Sequence, residues 1–275
     1  MKTIKPMCGR SWLLLSTLLV SLCLLNACSS TRQQQQQYTQ PGPVEQPLQS
    51  ADVKKRAAIR LQLGVGYFQQ GQYPVALQEL NDAAKMDPTI ADIFGVRALV
   101  YVELHETVLA EQDFQRAQRM APENADIANN YAWFLCRNQR EKEAMEMFEK
   151  VIKNPAYKSP AKVLINAGMC SQRMKNDYLA QQYLLKAIRF DPANYDANFN
   201  LAGIYYQNKD WVRAQFYIGR LVKDEDVSAA TLWLGIKIAH KAQDALTEDS
   251  LSLQLRRRHP DSDESVLLGR GAFDE

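Results

Sequence analysis

Between residues 57 and 227, small and large apolar positions return at a fixed interval. Small residues stand at Ala76, Ala110, Ala144, Ala180 and Ala214, spaced 34, 34, 36 and 34 residues apart. Four positions on, a large side chain follows at Leu80, Phe114, Phe148 and Leu184, and at Tyr217 or Ile218. A second small position recurs at Ala83, Ala117 and Ala187, with Val151 as the exception. Upstream in each period lies another small residue, at Gly64, Ala98, Ala132, Gly168 and Ala202, and Tyr67, Tyr101 and Tyr205 follow three residues later. Spacings of three and four mark helices, and Pro88, Pro122 and Pro192 end the later helix because proline has no N–H to donate. Each period therefore predicts two helices. Its small positions let the pair approach, and its large ones fill the gap to the next pair.

Helical hairpins of 34 residues resemble the tetratricopeptide repeat (TPR). The expected fold is all-α, a TPR superhelical solenoid of five to six helix-turn-helix repeats over residues 51–260. Repeats fall at about 57–90, 91–124, 125–160, 161–194 and 195–227, with a degenerate sixth at 228–260. The lengthened third repeat holds Pro155 and Pro160, so its loop is expected to carry the two extra residues. In the sixth, Gly235 stands at the small position of the first helix, and Arg256, Arg257 and Arg258 fall in the last turn, where cations favour the helix dipole. This run reads as a solvated cap or as a contact for anionic lipid or a partner. The tail, 261–275, is expected to form a short helix on the last repeat.

Ahead of the repeats the pattern changes. Lys2, Lys5 and Arg10 precede WLLLSTLLVSLCLL, a basic start and a short apolar core that read as a secretory signal peptide over 1–27. The core is short for a bilayer span, which leaves an uncleaved anchor as the weaker alternative. Leu25-Asn26-Ala27-Cys28 resembles a bacterial lipobox, with Asn26 a departure from the usual small residue. That resemblance implies cleavage before Cys28 and covalent diacylglycerol and N-acyl chains on it; a cysteine near an ordinary cleavage site is the alternative. Ser29, with no Asp after the cysteine, implies sorting to the outer membrane, facing the periplasm. Residues 28–50 are rich in Gln, Ser and Pro and read as a lipidated flexible tether.

Removing Lys2, Lys5 and Arg10 takes the formal net charge from +2 to −1, which leaves no electrostatic footprint for nucleic acid. The three histidines show no metal-ligand spacing, and no nucleophile–base set or phosphate loop stands in a consistent context. No metal, cofactor or catalysis is expected. Cys136 and Cys170 lie in first helices of adjacent repeats; a disulfide is feasible there if their α-carbons come within about 7 Å, and two buried free thiols are the alternative.

In TPR arrays the first helices line the inner surface. Transferred to this chain, the inner positions give an apolar patch of Leu61, Val65, Phe68, Leu99 and Val102, followed by Trp133. Such a patch marks a binding surface unless a neighbouring helix or the tether covers it. Asn130, Asn166 and Asn200 recur at one inner position, where an amide can grip a peptide backbone with donor and acceptor, though Asn is also common there in TPRs. Trp211 and Trp233 read as packing residues, and Tyr205 and Tyr206 are expected to divide between core and groove.

Lipobox, Gln/Pro tether, five or six repeats and the ending LRRRHP…LLGRGAFDE together resemble the PilF/PilW family of type IV pilus biogenesis TPR lipoproteins, the secretin pilotins. The resemblance implies an outer-membrane lipoprotein that binds the type IV pilus secretin and promotes its localisation and multimerisation. Its partners would be the secretin, the lipoprotein sorting machinery and the membrane through the lipid anchor; a monomer is expected. The competing reading is a TPR scaffold lipoprotein for cell-wall enzymes or outer-membrane protein assembly.

Overall fold

Helices form where the repeat predicts them. The computed structural model describes residues 45–274, so the leader, Cys28 and most of the tether lie outside the described residues. Among the described residues there are thirteen helices and no strand. They pair as α1 (Glu45–Gln69) with α2 (Tyr73–Met86), α3 (Ala91–Glu103) with α4 (Thr107–Met120), and α5 (Ala125–Arg137) with α6 (Glu141–Ile152). The later pairs are α7 (Pro160–Arg173) with α8 (Asp177–Phe190), α9 (Tyr195–Gln207) with α10 (Trp211–Ile218), and α11 (Ala229–Lys241) with α12 (Ala245–Arg258); α13 (Asp263–Arg270) follows. One boundary is corrected. Helix α1 begins at Glu45, inside the expected tether, because EQPLQSADVKKRAA contains good helix formers and its one Pro sits in the first turn.

Packing follows the small–large rule. Ala76, Ala83, Ala98, Ala110, Ala132, Ala144, Ala180, Ala187, Ala202 and Ala214 are fully buried, as are Leu80, Phe114, Phe148 and Leu184. A β-carbon on Gly64 would fall 2.7 Å from Leu80, and one on Gly168 2.8 Å from Leu184, so glycine is needed for these two close crossings. Gly235 meets Leu251 in the same way, at 2.9 Å. First helices of adjacent repeats also touch one another, α3 with α5, α5 with α7, α7 with α9 and α9 with α11, which builds a continuous inner layer.

Each hairpin turns through the same device. The residues at Gly71, His105, Gln139, Lys175, Lys209 and Gln243 take positive φ. The next residue's N–H returns to a carbonyl five positions back, as in Gln72 to Tyr67, Glu106 to Tyr101 and Asp244 to Ala239. This is the Schellman closure, which satisfies the orphan carbonyls of the first helix. Gln243 lies 34 residues after Lys209, which sets the sixth repeat in strict register with the fifth. At the other turn, Asp87, Ala121, Asp191 and His259 leave the helical region, with φ between −133° and −142° and ψ between 53° and 94°, and each precedes a proline, whose ring disfavours the helical conformation in its neighbour.

In the third repeat the extra residues lie in the loop after α6, and Pro160 opens α7 at its first turn. The tail forms α13, which packs against α11 and α12 and buries Leu268. Arg256 and Arg257 are exposed, while Arg258 donates to the carbonyls of Asp224 and Glu225 at 3.1 and 3.0 Å.

Candidate functional site: the inner face

The expected single apolar patch is divided. Leu61 and Val65 line a hollow of about 460 Å³ with Val96 and Ile127, and Asp92, Asn124 and Asp126 stand around it. Leu99 and Val102 line a second hollow of about 200 Å³ with Trp133 and Phe134. Asn130 lines both. Phe68 lines neither: its ring lies 5.9 Å from Tyr73 and packs into the core between the first two repeats. The split runs along α3: Gly95 and Val96 line the first hollow, whereas Leu99 and Val102, a turn or more further on, line the second beside the hairpin turn at His105.

The three asparagines do not act alike. The Asn166 amide donates to Asn129 Oδ1 at 3.1 Å, and Asn200 donates to the Asp196 carbonyl of its own helix at 2.7 Å. Asn130 makes no side-chain hydrogen bond to another described residue, so the expected row of three peptide clamps reduces to one. Asn129 is wholly buried, and its own Nδ2 has no partner.

Polar groups that the sequence reading passed over frame the front of this face. Asn124 caps α5 through the N–H groups of Asp126 and Ile127, and its amide donates to Asp92 at 3.0 Å. The Tyr157 hydroxyl donates to Asp126 at 3.1 Å, and the pKa of this phenol lies well above the usual range through burial and that neighbouring carboxylate. The larger hollow thus has an apolar floor and an acidic rim. Beneath it Arg97 joins the first two repeats, donating to Asp113 through Nε at 2.6 Å and Nη2 at 2.8 Å and to Asn81 at 2.8 Å. The bond to Asp113 holds the guanidinium firmly protonated. The signal for this pair was its spacing: Gly64–Leu80 and Gly168–Leu184 are also 16 residues apart, so a charged residue at each of two such positions implies a pair.

Cys136 and Cys170 are joined, with their α-carbons 5.9 Å apart, and the bridge staples α5 to α7. Trp133 faces the second hollow and Trp211 lies 5.6 Å from Tyr206. Tyr205 is buried and stacks on Tyr217 at 5.5 Å, while Tyr206 remains half-buried.

At the far end the inner face differs. In the sixth repeat's strict register, Trp233, Lys237, His240 and Lys241 hold inner positions. Phe273 stacks on His240 at 4.0 Å between ring centroids and on Trp233 at 5.7 Å. Asp274 pairs with Lys241 at 2.5 Å, which raises the lysine pKa and lowers the aspartate's. Burial pushes the Lys237 pKa down. Among the described residues there is no cluster of side chains able to hold a metal ion, and no helix is long and apolar enough to cross a membrane.

Paired helices in 34-residue register, with hollows on the inner layer, define a tetratricopeptide-repeat protein. Family models for the tetratricopeptide repeat match residues 61–117, 96–158, 161–194 and 179–226. The type IV pilus assembly protein PilF of Pseudomonas aeruginosa is 30% identical over 202 residues, covering 74% of this chain and 80% of PilF. Among solved structures, PilW, a widely conserved type IV pilus biogenesis factor, superposes with a TM-score of 0.70 at 32% identity, covering 77% of this chain and 98% of PilW. Pseudomonas aeruginosa PilF superposes equally well, at 28% identity, covering 80% and 99%. The chain belongs to the PilF/PilW family of type IV pilus biogenesis proteins.

Proposed function

We propose that this chain is an outer-membrane pilotin. It is anchored through acyl chains on Cys28, binds a segment of the type IV pilus secretin, and carries that segment with it along the lipoprotein sorting route so that the secretin multimerises in the outer membrane. Family membership supports a part in pilus biogenesis, and the lipobox-like Leu25–Cys28 supports the anchor. The observation that carries the partner reading is the pair of hollows meeting at Asn130. Their floors present Leu61, Val65, Leu99 and Val102, and the rim carries Asp92 and Asp126. This chemistry suits an extended segment with apolar side chains flanked by cationic or N–H donor groups.

Immobilised secretin tests it. Burying one Leu-sized side chain contributes about 1.5–3 kcal/mol, so Leu61→Asp or Leu99→Asp is expected to weaken capture at least tenfold while circular dichroism stays unchanged. Wild-type capture by both variants ends the assignment to this groove. In cells, deletion is expected to remove secretin multimers from outer-membrane fractions. Cys28→Ser is expected to leave the protein without fatty acyl groups by mass spectrometry and off the membrane; normal multimers in either strain contradict the pilotin reading.

A further inference from the structure

The inner face of α11, beside Tyr206 of the fifth repeat, already holds a peptide, and that peptide is the segment of this same chain that follows α13. Helix α13 is stopped by Gly271 in the left-handed conformation, φ 66° and ψ 30°, so the residues after it leave as a separate short extension. Among the described residues of that extension, the side chains of Phe273 and Asp274 grip the array. Phe273 lies on the shelf made by His240 and Trp233, and Asp274 pairs with Lys241. All three receiving residues hold inner positions, which in the front repeats line open hollows. The Lys237 ammonium lies 5.6 Å from the Trp233 ring and 5.8 Å from the Tyr206 ring, so this shelf carries positive charge beside its aromatic surface. Asp274 itself is 85% exposed. Its carboxylate therefore reaches the lysine from the solvent side, and α13 keeps its own buried anchor, Leu268, when the extension lifts.

We propose that the inner face of repeats five and six is a second docking site, for a segment of another protein carrying an aromatic side chain followed at once by a carboxylate, and that the Phe273-Asp274 tail is its exchangeable internal occupant. The recognition chemistry is read from the seated tail. A flat aromatic group stacks on imidazole and indole, and an anion meets the lysine one residue further on. Tethering gives the tail an effective concentration of about millimolar. A guest must match this chemistry and exceed that competition, so the site opens only to a partner presented at high local concentration. The site is separate from the hollows of repeats one to three, and secretin capture there is read independently of it.

The test uses the full chain and a fluorescein-labelled pentapeptide, Gly-Ala-Phe-Asp-Glu, followed by anisotropy. Phe273→Ser is expected to bind this peptide at least tenfold more tightly than wild type. Asp274→Ser, which releases only the ion pair, is expected to show a smaller gain. Adding Lys241→Glu to Phe273→Ser is expected to abolish binding, as is replacing Phe with Ser in the peptide. Equal binding by wild type and Phe273→Ser overturns the proposal, and so does equal binding of the Ser peptide. If near-ultraviolet circular dichroism shows the tryptophan environment of Phe273→Ser collapsed and added peptide does not restore it, the tail is a structural cap alone and the site is refuted. Dimers formed in sedimentation when wild type is mixed with Phe273→Ser identify a second copy's tail as the guest and equally overturn the partner assignment.

Discussion

Repeats one to three and repeats four to six share a backbone down to the left-handed residue in every hairpin, yet they are held together and finished differently. At the front, the joint between repeats one and two rests on Arg97, clamped by Asp113 and Asn81, and the inner face is open. At the back, Tyr205 stacks on Tyr217 within the fifth repeat, and the tail covers the inner positions Trp233 and His240 of the sixth. The second helices differ too. Gln72, Glu106 and Arg140 start α2, α4 and α6 with no side-chain cap, whereas Asn176, Asp210 and Asp244 cap α8, α10 and α12 by accepting from Leu179, Arg213 and Thr247 N–H. A repeat fold constrains which positions must be small or large. It leaves charge, capping and the inner face free to diverge between the two ends.

The largest break in this comparison comes from Asp113→Ala. It strands a mostly buried guanidinium, and losing one member of such a pair costs about 3–5 kcal/mol, read as a fall in the urea midpoint. The double variant Arg97→Met, Asp113→Leu is expected to recover most of the loss, because both charges leave together. Next in size is the staple between the halves. Cys136→Ala with Cys170→Ala opens a closure of 34 residues and is expected to cost roughly 2–4 kcal/mol; a dithiol reductant is expected to lower the wild-type midpoint similarly and to leave the double variant unchanged. Capping sharpens the contrast further. Asn176→Ala is expected to cost about 1 kcal/mol, and Glu106→Asp to add up to about that much by giving α4 the cap it lacks; equal and null effects at the two sites contradict the assignment of caps. The smallest effect is at the turns. Lys209→Gly relieves a side chain held at φ 59° and is expected to stabilise by about 1 kcal/mol or less, a rise of a few degrees in the thermal midpoint.

The hairpins were legible in the sequence because packing two helices at close range forces Ala or Gly at Ala76, Ala110 and their equivalents, whatever else the chain does. The turn residue was not legible. His105, Gln139, Lys175, Lys209 and Gln243 share no chemistry, because the Schellman hydrogen bonds belong to the backbone. The inner face was legible as a face but not as a site. Repeat positions put Leu61, Val65, Leu99, Val102 and Trp133 on it, and these residues line its hollows, yet whether Asn166 grips a guest or Asn129 depends on a rotamer that no spacing encodes. Phe68 failed for a related reason: a neighbouring aromatic, Tyr73, five residues on offers it a better partner than the open groove. The tail carried the least signal, since one phenylalanine and one aspartate after a glycine have no period to betray where they land.

The bridge between Cys136 and Cys170 has a mechanical consequence. When the protein is pulled between its N-terminal helix and its tail, the 34 residues separating the two sulfurs stay out of the extending thread. The fully stretched length then falls short by roughly 110 Å, at about 3.3 Å per residue. Load applied at one flank is passed across the staple to the other, past α6, which lies wholly between the two cysteines.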